Sequence, residues 1–592
     1  MDRLLQGVSP AALFPCPPVV RFVPEATECH CGTSLLVQKT RKKTVLALTG
    51  PLTAHETLLK CPECSRVYGS ETLLKMVPKR CNVAFEVLVF VGQALFQRHR
   101  SLEEVQTELL SRNVRLCASE IDYLGRKFIS YLALAHRRAT PRIRQRMQMA
   151  GGYVLHLDAT HEGDAPALMS GMDSLSQFVL DNVKIPSEHR DHIVPFLQEI
   201  QRRYGTPTAC VHDMGTGTCK AVREVFPDVK DFICHFHFLR DIGKDFLDPA
   251  YRRLRNRLRE HGASTGLRYL IRQMRQRLKE QGLASPQLTK SLTDAQPPED
   301  RSSLPLVSAY SLALWAIHGK HSGNGYGFPF DRPLLQFAER VLKLDRRLPE
   351  LLELVPRDKG SRPLRKLANK ISGSAKDPEL VRAVQNLRWR AQIFDDLRKA
   401  MRIAPADGTS GLNDDGTKET MSTIRQGVEA FRLRLKEDPK LANDLLCRKM
   451  GQQIDKYTEK LFADPIEVDT PGGKVTIYPQ RTNNILEQFF RGLRRAHRRK
   501  TGNNSIRRML QAMLAETPLI KNLDNPEYME ILLDGKPTLE ELFASLEQDP
   551  GFDNRESKED SDRILPGFRS IIKDHSLPEQ IVQLFTRTSQ AA

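Results

Sequence analysis

Two short apolar runs each end on an aspartate: YVLHLD closes at Asp158 and TACVHD at Asp213. Both read as β-strands, and a carboxylate at such a strand end costs desolvation energy unless something pairs with it. By strand alternation His156 shares a face with Asp158, whereas His212 points opposite to Asp213. Taken singly, either acid is an ordinary turn or N-cap residue. With helices between them, the two strands suggest a mixed sheet whose acids meet at neighbouring strand ends. Such a pair can bind Mg²⁺, and a third carboxylate can complete a two-metal site. The ions of that kind of site sit about 3.5–4 Å apart and stabilise the attacking and leaving oxygens of phosphoryl transfer. Asp164, Asp173 and Asp181 are weaker candidates because they lie in loop or hairpin contexts.

A further acid heads RTNNILEQFFRGLRRAHRRKTG, residues 481–502. Wound as a helix at about 100° per residue, Leu486, Phe489, Phe490 and Leu493 form one apolar stripe. Glu487 falls off that stripe, on the side of Arg491, Arg494 and Arg498. Asn484 with Glu487 satisfies a capping-box pattern, and Glu487 with Arg491 is a good i,i+4 pair. Glu487 is thus a capping and ion-pair residue, a metal ligand held against a polyanion, or both. The run that follows has one sign. Between Gln488 and Ala515 there are eight Arg or Lys residues, among them Arg495, Arg499 and Lys500, and no Asp or Glu. A solvated helix face mixes signs to relieve repulsion, so this one implies a polyanionic partner whose affinity falls steeply with salt.

Soft ligands gather near the N-terminus. Of the 11 cysteines, six lie in the first 81 residues. Cys29-x-Cys31 and Cys61-x-x-Cys64 supply two thiolate pairs separated by a β-rich stretch, which is how a small zinc-ribbon-like domain presents four ligands to Zn²⁺. The first pair is tighter than the usual spacing, so Cys16, His30 or Cys81 could replace a ligand; the alternative is buried free thiols. Four protein ligands leave no open position, and the zinc would be structural.

These residues need elements to carry them. Residues 1–81 hold the cysteines and short β-like runs such as Thr44–Leu48. Residues 82–149 turn helical. Helices at 101–111, opened by a Ser101/Glu104 capping box, and at 118–132 fit a helix-turn-helix with Arg126 and Lys127 on its second helix, or an ordinary helical hairpin. Over 150–245 the acid-tipped strands enclose a hairpin (ALMSGMDSLSQFVLDNV) and a helix near 188–204. A second helix follows near 217–226, and FICHFHFLRDIG reads as a strand turning into a helix. Residues 246–464 are helical and start strongly basic, with loop-like stretches at 284–305 and 404–417. Trp315 there is either a core residue or a base-stacking one. A turn and strand at 469–480 lead into the Glu487 helix, within 465–515, and 516–592 is a less basic tail.

Three of these motifs together resemble a DDE-type transposase of a bacterial insertion sequence, similar to the Mutator-like group. LHLDAT resembles the first-aspartate strand, CVHDMG the second, and RTNNILEQFFRGLRRAHRRKTG the glutamate helix. The family's Cys-x-x-His after the second aspartate is matched by Cys234 and His237 in ICHFHF. The 274 positions between Asp213 and Glu487 match its long helical insertion. The match is good over roughly 150–245 and 465–515 and looser over the N-terminal units. The resemblance implies an α/β fold: an RNase H-like mixed-sheet catalytic core, interrupted by a large all-α insertion and preceded by zinc-binding and helix-turn-helix-like modules. It implies that Asp158, Asp213 and Glu487 coordinate two Mg²⁺ (or Mn²⁺) ions. DNA end cleavage would then be followed by attack of the freed 3′-hydroxyl on target DNA. Cys234 and His237, with His156, would be accessory: a hydrogen-bonding unit beside the site or, less favoured, part of a zinc site. The family also implies a homodimer or higher oligomer on paired DNA ends.

Composition agrees with such a role. Hydrophobic residues make up 40% and charged residues 27%, a soluble globular balance, and the formal net charge is +18. That excess favours a polyanion, read here as double-stranded DNA rather than a membrane surface. No apolar run reaches the roughly 18–20 residues of a membrane span, and the proline-broken N-terminus does not read as a secretory signal. The expected place is the cytoplasm, on a bacterial nucleoid. The rival readings are a domesticated or decayed transposase acting as a DNA-binding regulator, and a nuclease without strand transfer.

Overall fold

The computed structural model describes residues 16–281, 302–404, 420–548, 574 and 576–590. The chain forms two compact units. One comprises Met1–Gln93, Leu102–Ala135 and Lys536–Ala592, the other Ala94–Ser101 and His136–Gly535. The sequence boundary expected at residue 81 therefore falls inside the first unit, and the tail expected from 516 onward is shared between both.

In the first unit, β1 (Val19–Phe22) runs parallel to β3 (Gly50–Lys60), while β2 (Leu36–Ala47) and β4 (Val67–Tyr68) pair antiparallel with β3. The tight β2–β3 turn ends at Gly50, whose φ of 114° favours glycine. Ser70 caps α1 (Glu71–Met76) by accepting from the Leu73 amide. α2 (Phe85–Phe96), α3 (Leu102–Ser111) and α4 (Ala118–Met149) follow. Gly92 of α2 makes room for Phe128 of α4: a Cβ there would stand 2.1 Å from the ring. The unit also contains the helices Leu539–Glu547 and Leu577–Gln590, and the first of these packs on α4. Its Phe543 stacks on Tyr131 at 5.1 Å, and the Glu547 carboxylate accepts from the Lys79 amide at 2.6 Å and from the Tyr131 hydroxyl.

The second unit is built on a five-stranded sheet of β5 (Val154–Thr160), β6 (Ala167–Asp173), β7 (Val179–Ile185), β8 (Ala209–His212) and β9 (Lys230–Ile233), in the order β7-β6-β5-β8-β9. β5, β6 and β7 are antiparallel neighbours, whereas β8 and β9 run parallel to β5. The apolar runs at β5 and β8 are buried on both faces, as central strands require. α5 (Arg190–Tyr204) and α6 (Thr216–Val225) supply the crossovers. β7 is an edge strand, and Asn522 closes part of that edge: its amide pairs with both the N–H and the C=O of Val179 at 2.8 Å.

α7 (His235–Glu260) begins two residues after β9 and seeds a helical insertion. It continues through α8 (Ala263–Glu280), α9 (Leu304–His318), α10 (Pro333–Glu353), α11 (Arg362–Ala375) and α12 (Pro378–Met401). It is completed by α13 (Met421–Glu437), α14 (Pro439–Ala442) and α15 (Leu445–Leu461). One continuous core, including Phe238, Phe246, Phe337 and Phe394, runs through it. Trp315 packs against that core with Arg340 at 4.9 Å and Lys343 at 5.8 Å over its ring, which is the packing role. Most of the two expected loops, at 284–301 and 405–417, lies outside the described residues.

The chain returns through the hairpin β10 (Ile466–Thr470) and β11 (Gly473–Ile477), whose Ile477 packs with Val154, Ala209, Val211 and Phe232 of the sheet. α16 (Asn484–Thr501), α17 (Arg507–Ala512) and α18 (Pro526–Leu533) complete the unit. Among the described residues, no helix is long and apolar enough to cross a membrane.

Candidate active site

Register places the two aspartates. β5 pairs with β8 in parallel as Val154↔Ala209, Leu155↔Cys210 and His156↔Val211. Continued in step, that register sets Asp158 level with Asp213 on strands about 4.8 Å apart. β8 pairs with β9 as His212↔Ile233, so Cys234 continues the same row on the far side of Asp213. A carboxylate, a carboxylate and a thiol thus line the C-terminal ends of three parallel strands.

The segment before α16 ties Glu487 to this row. Arg481, Thr482 and Asn483 are all buried, and Asn483 is fully so. Asn483 accepts from His156 Nδ1 at 2.9 Å, donates through Nδ2 to the Leu157 carbonyl at 2.8 Å, and donates its amide to Cys234 Sγ at 3.2 Å. The capping box expected from Asn484 and Glu487 does not form. Asn483 is the N-cap and its side chain makes no cap hydrogen bond, because it is spent on β5. This also gives Cys234 a structural part, as acceptor for the helix anchor; burial pushes its thiol up to about 12 against the opposing Asn483 N–H.

One turn into α16, Glu487 faces His237 at 3.6 Å between Oε1 and Nε2. Asp158, Asp213 and Glu487 line one cleft of about 360 Å³, together with His237, Arg240, Arg491 and Arg494. The three carboxylates do not form a tight shell. Among the described residues, only Cys29, Cys31, Cys61 and Cys64 place metal-binding atoms of three or more residues within 4.8 Å of one another. Burial raises the Asp158 carboxyl well above its ordinary range, and the like charges of Asp213, Glu487 and Glu188 raise it further. Burial, then Arg240, pushes His237 down to about 4, so it stands neutral beside Glu487.

Glu188 is a fourth acid of the cleft that sequence reading missed. Burial and then Asp213 raise its carboxyl, and His161 lies 3.7 Å away. A close approach fixes its backbone: a Cβ on Gly217 of α6 would stand 2.0 Å from the Glu188 carbonyl oxygen. A lone acid in a Ser-Glu-His-Arg loop carries no sequence signal for this. The weaker candidates have other work. Asp173 accepts from the Val154, Leu175 and Ser176 amides, Asp181 pairs with Arg203 at 3.1 Å, and Asp164 pairs with Arg507.

No protein-family model matches the chain, and no curated protein matches it in sequence.

The apolar stripe of α16 lies as the helical wheel requires, with Leu486, Phe489 and Phe490 buried. Arg491, Arg494, Arg495, Arg498 and Arg499 are exposed, and Arg494 reaches Thr160 Oγ1 at 3.0 Å. Lys500 departs from the expected basic face. Its ammonium lies 5.2 Å over the Phe96 ring, and burial lowers it to about 8. In the first unit, Arg126 is exposed and paired with Asp122. Lys127 is buried with its ammonium 5.7 Å over Tyr131, so it is not offered to a surface partner as the helix-turn-helix reading expected.

The four cysteines expected as a pair of pairs come together. Cys29 and Cys64 Sγ lie 3.4 Å apart, and Cys31 and Cys61 Sγ 3.6 Å. Around a tetrahedral zinc with Zn–S of about 2.3 Å the sulfurs would be about 3.8 Å apart. The cluster could therefore hold a structural metal such as zinc. His30 stays outside it, with Nδ1 3.2 Å from Cys29 Sγ, and Cys81 Sγ accepts from the Val83 amide instead. Cys16 is exposed and is not in the cluster.

Proposed function

We propose that this chain is a DDE-type DNA transposase with an RNase H-like core, acting on double-stranded DNA at transposon ends. One observation carries the reading. The β5–β8 register levels Asp158 with Asp213, and the Asn483 anchor returns Glu487 to the same cleft across a helical insertion. The strand order, with three antiparallel strands followed by two parallel ones, supports the RNase H-like assignment.

The donor set suits a hard divalent cation. It consists of carboxylate oxygens, and Asp158 is held up by burial and then by its like-charged neighbours, a repulsion that a cation relieves. Asp158, Asp213 and Glu487 would hold Mg²⁺ or Mn²⁺, which supplies charge stabilisation to the attacking and leaving oxygens. The chain's own residues do the rest. Arg491 and Arg494 flank Glu487 at the cleft and would hold the phosphates. His237 is neutral and lies 3.6 Å from the Glu487 carboxylate. Asn483 fixes the first turn of the helix that carries it. Water would attack the phosphodiester at the element's end, breaking the bond to the 3′ oxygen, and the freed 3′-hydroxyl would attack a phosphodiester of target DNA, displacing that strand's own 3′ oxygen as a hydroxyl.

The test is purified protein with Mg²⁺ and a plasmid carrying the inverted repeats that flank its gene. End cleavage and joined products, both lost in Glu487→Gln, are expected. Undiminished activity in Glu487→Gln sinks the reading, cleavage without joining favours a nuclease, and binding without cleavage favours a regulator.

A further inference from the structure

α16 uses two opposite faces. Glu487, Phe490, Arg491 and Arg494 look into the acidic cleft, whereas Gln488, Phe489, Gly492 and Ala496 line a separate cavity of about 460 Å³. That volume falls within the roughly 300–1,000 Å³ typical of small-molecule sites. Much of the cavity's wall is apolar, with Phe96, Met172, Phe489, Leu493, Met509 and Met513, and its Asp and Lys residues are one acid, Asp524, against two ammonium groups, Lys500 and Lys521. Methionine and aromatic walls adapt to a guest.

Two features set it apart from a packing defect. Gly492 sits in the middle of an 18-residue helix, where glycine is a poor helix former. A Cβ there would meet nothing within 4 Å, so the cavity has room for a larger side chain at this position. Lys500 lines the same cavity, and among the described residues its ammonium has the Phe96 ring but no carboxylate as partner. A half-buried ammonium without an anion is an electrostatic debt that an anionic guest would settle. His99 lines the cavity too, close enough for Lys500 and Arg499 to help burial lower its pKa.

We propose that this cavity binds a small amphiphilic anion, an apolar body carrying one carboxylate-type head group that pairs with Lys500. Ile485 and Gln488, two positions before and one after Glu487, both line the cavity. An occupant would therefore brace the catalytic helix from behind.

The test uses the full-length protein with decanoate and, as an uncharged match of the same chain length, decanol, followed by calorimetry. One decanoate per chain is expected to bind about tenfold more tightly than decanol, the value of one charge-assisted pair. Lys500→Met is expected to erase that preference, and Gly492→Leu, which projects an isobutyl group from the cavity wall while favouring helix, to weaken binding of both. Equal binding of decanoate and decanol to the wild type, or unchanged binding in Gly492→Leu, overturns the proposal. Neither arm depends on DNA cleavage.

Discussion

Asn483 and His156 stand 327 positions apart in the chain and share a side-chain hydrogen bond of 2.9 Å. Both are fully buried. Burial holds His156 down at about 4, against the bond to Asn483, so at neutral pH the ring is uncharged and its Nδ1–H donates to the amide oxygen. With Asn483 Nδ2 on the Leu157 carbonyl, the side chain fixes the start of α16 one residue from the strand position of Asp158. Everything between β9 and α16 can thus be a large insertion without loosening the site.

Asn483→Ala should therefore cost stability. It strands His156 Nδ1 and the Leu157 carbonyl in the interior, a loss of about 2–3 kcal/mol. The urea midpoint of the second unit should fall accordingly, and DNA cleavage should fall with it. An unchanged midpoint would mean that the anchor contributes no energy.

The cysteine cluster makes a prediction about composition. Protein purified without chelator should carry about one zinc per chain, the loading of a four-thiolate site. Cys64→Ser, which removes one of the paired sulfurs, should lower the zinc content and destabilise the first unit more than the second. Elemental analysis beside limited proteolysis reads both. Full zinc content in the variant would move the ligand set elsewhere.

Much of the site was legible because its signals are local. The strands that carry or precede Asp158 and Asp213 show as apolar runs of a few residues, although β5 runs on past Asp158 to Thr160, and the α16 stripe of Leu486, Phe489 and Phe490 shows in a helical period. The paired cysteines carry their own spacing. What stayed hidden depends on partners distant in sequence. Lys500 sits in an all-basic run, and only the Phe96 segment, packed against it from 404 positions earlier, turns it inward. Lys127 is covered in the same way by the fold of its own unit. The capping pattern pointed to Asn484, and only the contact with β5 shows that Asn483 is the N-cap, with its side chain spent on the strand.

Those two directions separate the basic residues by experiment. Each exposed arginine at 491, 494, 495, 498 and 499 that contacts phosphate should, when changed to alanine, flatten the slope of log affinity against log salt by about one. Lys500→Ala should leave that slope unchanged, because its ammonium faces the cavity rather than solvent. Anisotropy titrations on labelled duplex at several salt concentrations measure this. A slope reduced by Lys500→Ala as much as by Arg498→Ala would put the ammonium on DNA.

His136 gives the fold a pH dependence of known sign. Its Nδ1 lies 2.7 Å from the Tyr528 hydroxyl and its Nε2 2.9 Å from the Leu180 carbonyl, all within the second unit. Burial lowers its pKa from 6.5 to about 4, with the Leu180 bond opposing and Arg203 and Arg137 adding to the shift. A depressed histidine takes its proton in the unfolded chain first. Stability from this group is therefore complete above pH 6.5, declines as pH falls from 6.5 towards 4, and changes no further below that. The full swing is on the order of 3 kcal/mol. His156 and His237 titrate in the same window, so the informative quantity is a difference of curves. Subtracting the urea midpoints of His136→Phe from those of the wild type, between pH 4 and pH 8, should leave a slope confined to that window. A flat difference would show that the Tyr528–His136–Leu180 cluster carries its proton equally well in both states.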